Sequence, residues 1–262
     1  MLNGEGPTQV LTAASQTLGG VWRLKALILA GGFGKRLRPY TERVPKVMIK
    51  VAGRPILFWQ LEWLKAYGVR EVVLCVGYLR EYIMKYVGDG SSLGLEVHYA
   101  VEEEPLGTGG GLKNARDLVE DEDLFLAMNG DVITDLNPLK LVEKAREGPY
   151  LGVLALVQLP SPYGVVITDP SGRVREFVEK PLLPDYWINA GIYCLRPEAL
   201  DYLPDRGDVE RVGFPELAKE GKLAAVKYEG VYWRAIDTYK DVEAASRELE
   251  ARRSSWPRQA GG

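Results

Sequence analysis

Residues Lys25 to Lys50 read KALILAGGFGKRLRPYTERVPKVMIK, and this stretch decides the fold. KALILA is a short apolar run with the length and composition of a buried strand. It breaks at once into a loop rich in glycine and positive charge. From Gly31 to Lys50 six basic residues (Lys35, Arg36, Arg38, Arg43, Lys46 and Lys50) face one acid, Glu42. Glycines let the backbone bend tightly and bring N–H groups to an anion, while basic side chains neutralise phosphate charge. Together these are the parts needed to hold a triphosphate. A dinucleotide-binding turn does not fit, because Leu37 stands where the third glycine of GxGxxG belongs and no acidic strand end follows about 20 residues on. A P-loop fails too, since no Gly-Lys-Ser/Thr follows.

Beyond this loop, strands and helices alternate. PILFWQLEWLKAYG has helical spacing and stops at Gly68. EVVLCVG is the next strand, a helix covers about Arg80 to Val87, and EVHYA extends. LKNARDLVE reads as helix, and LFLAMNGD as a strand whose only charge is its last residue, Asp131. This alternation predicts an α/β fold of Rossmann-like type, with a largely parallel central sheet flanked by helices. Ligands of such sheets bind at the carboxyl ends of the strands, so the loops after KALILA and LFLAMNGD are the places to look. After Tyr150 the pattern changes to strand YLGVLALVQL, a hairpin around the Asp169–Gly172 turn, strand NAGIYCL, short helix FPELAKEG and a charged terminal helix ending near Arg253. No Pro- or Gly-rich linker divides the chain, so residues 25–253 are expected to form one domain.

Bulk properties narrow the function. The 262 residues carry a net charge of -3, which argues against a general nucleic-acid binder and requires a local basic cluster for any anionic ligand. Cys75 and Cys194 sit in apolar runs far apart in sequence and read as reduced packing residues, which favours a cytoplasmic location. The single histidine, His98, has no nearby cysteine and argues against a zinc site. Residues 1–24 are small and polar, without the charged start and apolar centre of a signal peptide, and are expected to be a flexible extension outside the fold. No stretch approaches the roughly 20 apolar residues of a membrane span.

The glycine loop resembles the signature of the sugar-1-phosphate nucleotidyltransferase family, GGxGxRLxPLT followed by PK. Here it stands as Gly31-Gly32-Phe33-Gly34-Lys35-Arg36-Leu37-Arg38-Pro39-Tyr40-Thr41, with Pro45-Lys46 behind it. Lys35 replaces a common threonine and Tyr40 a common leucine. The resemblance continues through VEEEPLGTGG, MNGD, YGVVI, FVEKP and NAGIY, from about Lys25 to Asp241. It implies the nucleotide-diphospho-sugar transferase fold, with a nucleotide-binding half over about 25–149 and a sugar-binding half over about 150–241.

The resemblance also implies roles. Arg36 would clamp the β- and γ-phosphates and Lys46 reach the α-phosphate, as the catalytic pair. Ala30, Gly31, Gly32, Gly34, Lys35, Glu104, Gly107, Thr108 and Gly130 would bind the nucleotide. Gly107 and Thr108 are the candidates to read the base. Gly164, Glu179, Lys180 and Asn189 would bind the sugar phosphate. Asp131 and Asp237 would hold Mg²⁺, a hard cation suited to carboxylate oxygen; Asp135 or Asn137 is better placed than Asp131 to cap the helix that follows. The implied reaction joins an NTP and a sugar 1-phosphate into a nucleotide sugar with loss of pyrophosphate. The VEEEPLGTGGGL loop looks most like mannose-1-phosphate guanylyltransferases and related heptose-phosphate enzymes, although uridylyl-, thymidylyl- and cytidylyltransferases share the scaffold. One departure stands out. The family's second metal aspartate, in W-x-D-I/V-G, is Ala235 here, and an aspartate comes two residues later at 237. A strand would displace that carboxylate by roughly 7 Å, so the backbone is expected to slip or bulge.

Overall fold

The computed structural model describes residues 24–252 and Trp256. The extension expected over 1–24 lies outside the described residues, apart from Leu24, which is buried. Strand β1 (Lys25–Leu29) is followed by a tight pair, β2 (Lys50–Val51) and β3 (Arg54–Pro55), and by α1 (Ile56–Ala66). Then come β4 (Glu71–Val76), α2 (Arg80–Val87), β5 (Glu96–Val101) and α3 (Gly107–Asn114). β6 (Phe125–Asn129) and β7 (Val132–Thr134) precede α4 (Leu139–Arg146). The rest comprises β8 (Gly152–Pro160), β9 (Val165–Thr168), β10 (Val174–Val178) and β11 (Leu182–Leu195). It ends with α5 (Gly213–Lys219), β12 (Leu223–Tyr228), β13 (Trp233–Ala235) and α6 (Tyr239–Arg252).

Among the described residues, seven strands form one sheet in the order β12-β8-β11-β6-β1-β4-β5. The neighbours β1–β4, β1–β6, β4–β5 and β8–β12 are parallel, and only β11 runs against its neighbours β6 and β8. Strands from before and after Tyr150 therefore share one continuous sheet. Both faces are buried, which is why its strands read as continuous apolar runs. Ala26, Ile28, Val72, Leu74, Leu126 and Met128 point to a core shared with α1, α2, α4 and α6. Leu27, Val73, Cys75, Phe125 and Ala127 point the other way, against α3 and α5. The two thiols pack as expected. Both are buried and free, and burial pushes the Cys194 thiol up to about 12.

Two local features position the ligand edge. Gln60 on α1 donates from Nε2 to the carbonyls of Asn129 (3.0 Å) and Val132 (2.8 Å), which pins the turn between β6 and β7. β7 in turn pairs antiparallel with β13, Val132 opposite Ala235, so the end of β13 lies beside Asp131. Just before α4, Asn137 Oδ1 accepts from Leu139 N at 3.0 Å and holds the turn that leads into the helix.

Helix α3 departs from the sequence reading, which began it at Leu112. It begins at Gly107 and runs through Gly109, Gly110 and Gly111, with a 3₁₀ turn (Arg116–Leu118) after it. Glycine is a poor helix former, so propensity hid this start. The glycines serve close packing: a Cβ on Gly109 would sit 2.9 Å from Pro204 Cδ, and one on Gly110 2.5 Å from the Asp205 carbonyl. The hairpin β9–β10 stands apart from the main sheet with its Asp169–Gly172 turn in place, and its strands are exposed along most of their length.

Candidate active site

The loop after β1 is folded by a few buried anchors. Leu37 is fully buried, and Thr41 donates from Oγ1 to the Gly34 carbonyl at 2.9 Å. Gly34 adopts φ 58, and a Cβ there would lie 2.9 Å from Thr41 Cγ2, so this position needs glycine. These anchors hold Lys35 and Arg36 in one short 3₁₀ turn and Lys46 in another.

A cleft of about 430 Å³ opens at the carboxyl ends of β1 and β6, within the size range of small-molecule sites. Of the residues singled out from sequence, it is lined by Gly31, Gly32, Gly34, Lys35, Arg36, Lys46, Gly107, Thr108, Gly130, Asp131 and Asp237. Its centre is an ion-pair chain. Lys46 Nζ lies 2.6 Å from Asp131 Oδ2 and 2.8 Å from Asp237 Oδ1, and Arg36 Nη2 reaches the same Asp237 oxygen at 2.7 Å. The lysine is 14% exposed, whereas the arginine is 70% exposed at the mouth. Two carboxylates therefore converge on one cation, from segments more than a hundred residues apart. They form a donor set of hard oxygens, which fits a magnesium ion.

Other sequence-derived candidates lie elsewhere. Ala30 is buried, its N–H bonded to the Cys75 carbonyl at 2.8 Å. Glu104 lines an adjoining cavity of about 360 Å³ and pairs with Arg206 at 3.3 Å. Thr108 lines the main cleft, but its hydroxyl donates to Glu210 (2.7 Å) and accepts from Val209 N (2.9 Å). Its side chain ties the start of α3 to the 207–210 loop. Gly164 and Glu179 adjoin one another at the base of the β9–β10 hairpin, and Lys180 Nζ is 4.0 Å from Glu179. Asn189 is engaged with Tyr193 and with the Gly191 N–H. None of Gly164, Glu179, Lys180 and Asn189 lines the 430 Å³ cleft.

Sequence reading missed several lining residues. Phe33 packs against Tyr78, ring centroids 5.0 Å apart, and both line the second cavity. Asn129 and Asp208 line the main cleft. Glu102 lines both cavities and accepts from Leu106 N at 3.3 Å; burial pushes its carboxyl up. The signal for Glu102 was the first acid of the EEE run, at the carboxyl end of β5. A separate trio, Glu71, Glu96 and His98, gathers ligand atoms within 4.8 Å at the amino-terminal ends of β4 and β5. Lys25 Nζ already stands 3.5 Å from Glu71 there, on the edge opposite the cleft.

The family model described as "Nucleotidyl transferase" matches residues 25–252. The chain belongs to the nucleotidyl transferase family. The chain is 40% identical over 227 residues to the mannose-1-phosphate guanylyltransferase catalytic subunit beta of Danio rerio, covering 83% of this chain and 62% of that protein. It is also 40% identical over 226 residues to mannose-1-phosphate guanylyltransferase 1 of Arabidopsis thaliana, with the same coverage of 83% and 62%. This family member therefore spans less than two thirds of those relatives' length. HddC of Yersinia pseudotuberculosis, solved in complex with GMP-PN, superposes with a TM-score of 0.66 at 28% identity. That match covers 86% of this chain and 99% of HddC. Nucleotidyl transferases use a divalent metal, and no helix among the described residues is long and apolar enough to cross a membrane.

Proposed function

We propose that this nucleotidyl transferase is a cytoplasmic enzyme that joins GTP and mannose 1-phosphate into GDP-mannose and pyrophosphate, with Mg²⁺ as the cation. The observation that carries this reading is the Arg36–Asp237–Lys46–Asp131 chain, which runs inward from the mouth of a glycine-lined cleft. Such a chain separates when substrate binds. Phosphate oxygens draw Arg36 and Lys46, and the two carboxylates are left for a divalent cation, which offsets phosphate charge. The sugar-phosphate oxygen attacks the α-phosphorus in line; the new O–P bond forms as the bond to the β-phosphate oxygen breaks, and the electron pair leaves with pyrophosphate. That nucleophile is already ionised near neutral pH, its second pKa being about 6, so no general base is needed. Lys46 meets the charge that grows on the α-phosphate, and Arg36, at the mouth, stays with the leaving group. The sugar would lie toward the hairpin base, near Gly164, Glu179 and Lys180.

Guanine is favoured by Glu102. A carboxylate accepts two hydrogen bonds side by side, matching the adjacent N1–H and N2–H of guanine. Uracil and thymine offer one N–H between two carbonyls, which a carboxylate repels. The Yersinia neighbour, solved with GMP-PN, supports the same choice at comparable length.

The test is Glu102→Gln. An amide loses one of the two acceptors, so kcat/KM for GTP should fall at least about tenfold, or about 1.4 kcal/mol, against that for UTP. Stability should move the other way. The Glu102 carboxyl titrates higher in the fold than in the unfolded chain, because burial penalises its charge. Its stability contribution is full below the unfolded value of about 4.3 and is lost as pH rises through the folded one. The variant should therefore melt no lower than wild type at pH 7, with the difference vanishing toward pH 4. An unchanged preference for GTP in Glu102→Gln would remove Glu102 from base recognition.

A further inference from the structure

The departure at Ala235 raises the question of what holds Asp237 in the cleft. β13 ends at Ala235, opposite Val132, and the next N–H, that of Ile236, donates to the Asp131 carbonyl at 2.8 Å. There is no bulge in this pairing. Instead the chain turns sharply at the start of α6, and the turn is a reciprocal cap. Asp241 Oδ2 accepts from Asp237 N (3.1 Å), Thr238 N (2.7 Å) and Thr238 Oγ1 (2.8 Å). Thr238 Oγ1 accepts from Asp241 N at 3.4 Å. The other Asp241 oxygen faces Arg234 on β13 at 4.0 Å, and Arg234 grips Glu248 of α6 through Nε (2.9 Å) and Nη2 (2.5 Å).

We propose that Asp241, with Thr238, is the positioning residue that aims Asp237 into the active site, from a helix cap instead of from a strand. The proposal rests on Asp237 serving the metal. Three donors on one Asp241 oxygen fix the backbone at 237 and 238, so the Asp237 side chain has little choice but to face Lys46 and Arg36. The two-residue shift then costs no register, because Asp237 lies past the end of the ladder. One carboxylate thus starts α6 and, through the same bonds, orients another.

Mn²⁺ binding followed by electron paramagnetic resonance, with a non-cleavable GTP analogue present, reads the effect without turnover. Asp237→Asn and Asp241→Ala should each weaken Mn²⁺ binding about tenfold or more, the usual size for loss of a partner that orients a ligand. Asp241→Asn keeps an acceptor oxygen and should largely restore affinity. KM for the sugar phosphate should stay unchanged in Asp241→Ala and Asp241→Asn. Should Asp241→Ala not fold, Thr238→Val removes half of the cap and should weaken Mn²⁺ binding in the same sense. If Asp237→Asn loses affinity while Asp241→Ala or Thr238→Val keeps it, the positioning role is overturned and the metal role of Asp237 stands. If Asp237→Asn binds Mn²⁺ like wild type, the metal role and the positioning role fall together.

Discussion

Lys46→Ala is expected to lower kcat about 10²–10³-fold, the usual cost of removing a group aimed at developing negative charge. Its effect on metal binding should have the opposite sign. In the free protein the Lys46 ammonium holds both Asp131 and Asp237, at 2.6 and 2.8 Å. It therefore competes with any divalent cation for the same oxygens. Without it, two carboxylates are left together with Arg36 still paired to Asp237, and they should bind Mn²⁺ at least as tightly as wild type does. Calorimetry and initial rates on one preparation separate the two effects. A variant that loses metal affinity together with turnover would mean that Lys46 organises the site instead of acting on phosphate.

Gly130→Ala should be the most damaging single methyl group in the cleft. Gly130 donates its N–H to the Leu29 carbonyl at 3.0 Å, where β1 and β6 deliver their loops side by side. A Cβ there would press into the Leu29 carbonyl oxygen and lie 2.7 Å from Val47 Cγ1. The carbonyl is backbone in a central strand and cannot swing aside. Forcing atoms into such a place costs about 1–3 kcal/mol. For a chain of this size, that corresponds to a melting point lower by about 2–4 °C for each kcal/mol. Relief by moving the turn would displace Asp131 from Lys46, so residual activity should fall as well. A thermal melt and a rate assay check both, and a variant with wild-type values in each would show that the turn is loose.

How much of this was legible depends on what each residue's neighbours had to be. The parallel sheet could be read because strands buried on both faces must be apolar along their buried length, as ALIL after Lys25 and VVLCV after Glu71 are. The glycine-rich basic loop could be picked out as a candidate anion site because glycines and positive charges cluster there, and the structure brings that loop to the cleft. Helix α3 could not be read from Gly107, since its glycines answer to Pro204 and Asp205, a hundred residues away. Glu102 and Glu104 look alike in a run of three acids, and only the end of β5 decides which one turns inward. The fate of Asp237 depended on a cap, and Thr238-x-x-Asp241 is a pattern that the sequence did contain. Strand periodicity alone does not point to it, because Asp237 is carried at the start of the helix that follows β13.

Phosphorus NMR of the protein with GTP, mannose 1-phosphate and Mg²⁺ tests the central claim most directly. The α- and β-phosphate signals of a nucleotide sugar and the signal of pyrophosphate should grow in equal amounts, as those of GTP and the sugar phosphate decline. Appearance of GDP and inorganic phosphate instead, or the same products from UTP, dTTP or CTP with kcat/KM about tenfold above that for GTP, would contradict it.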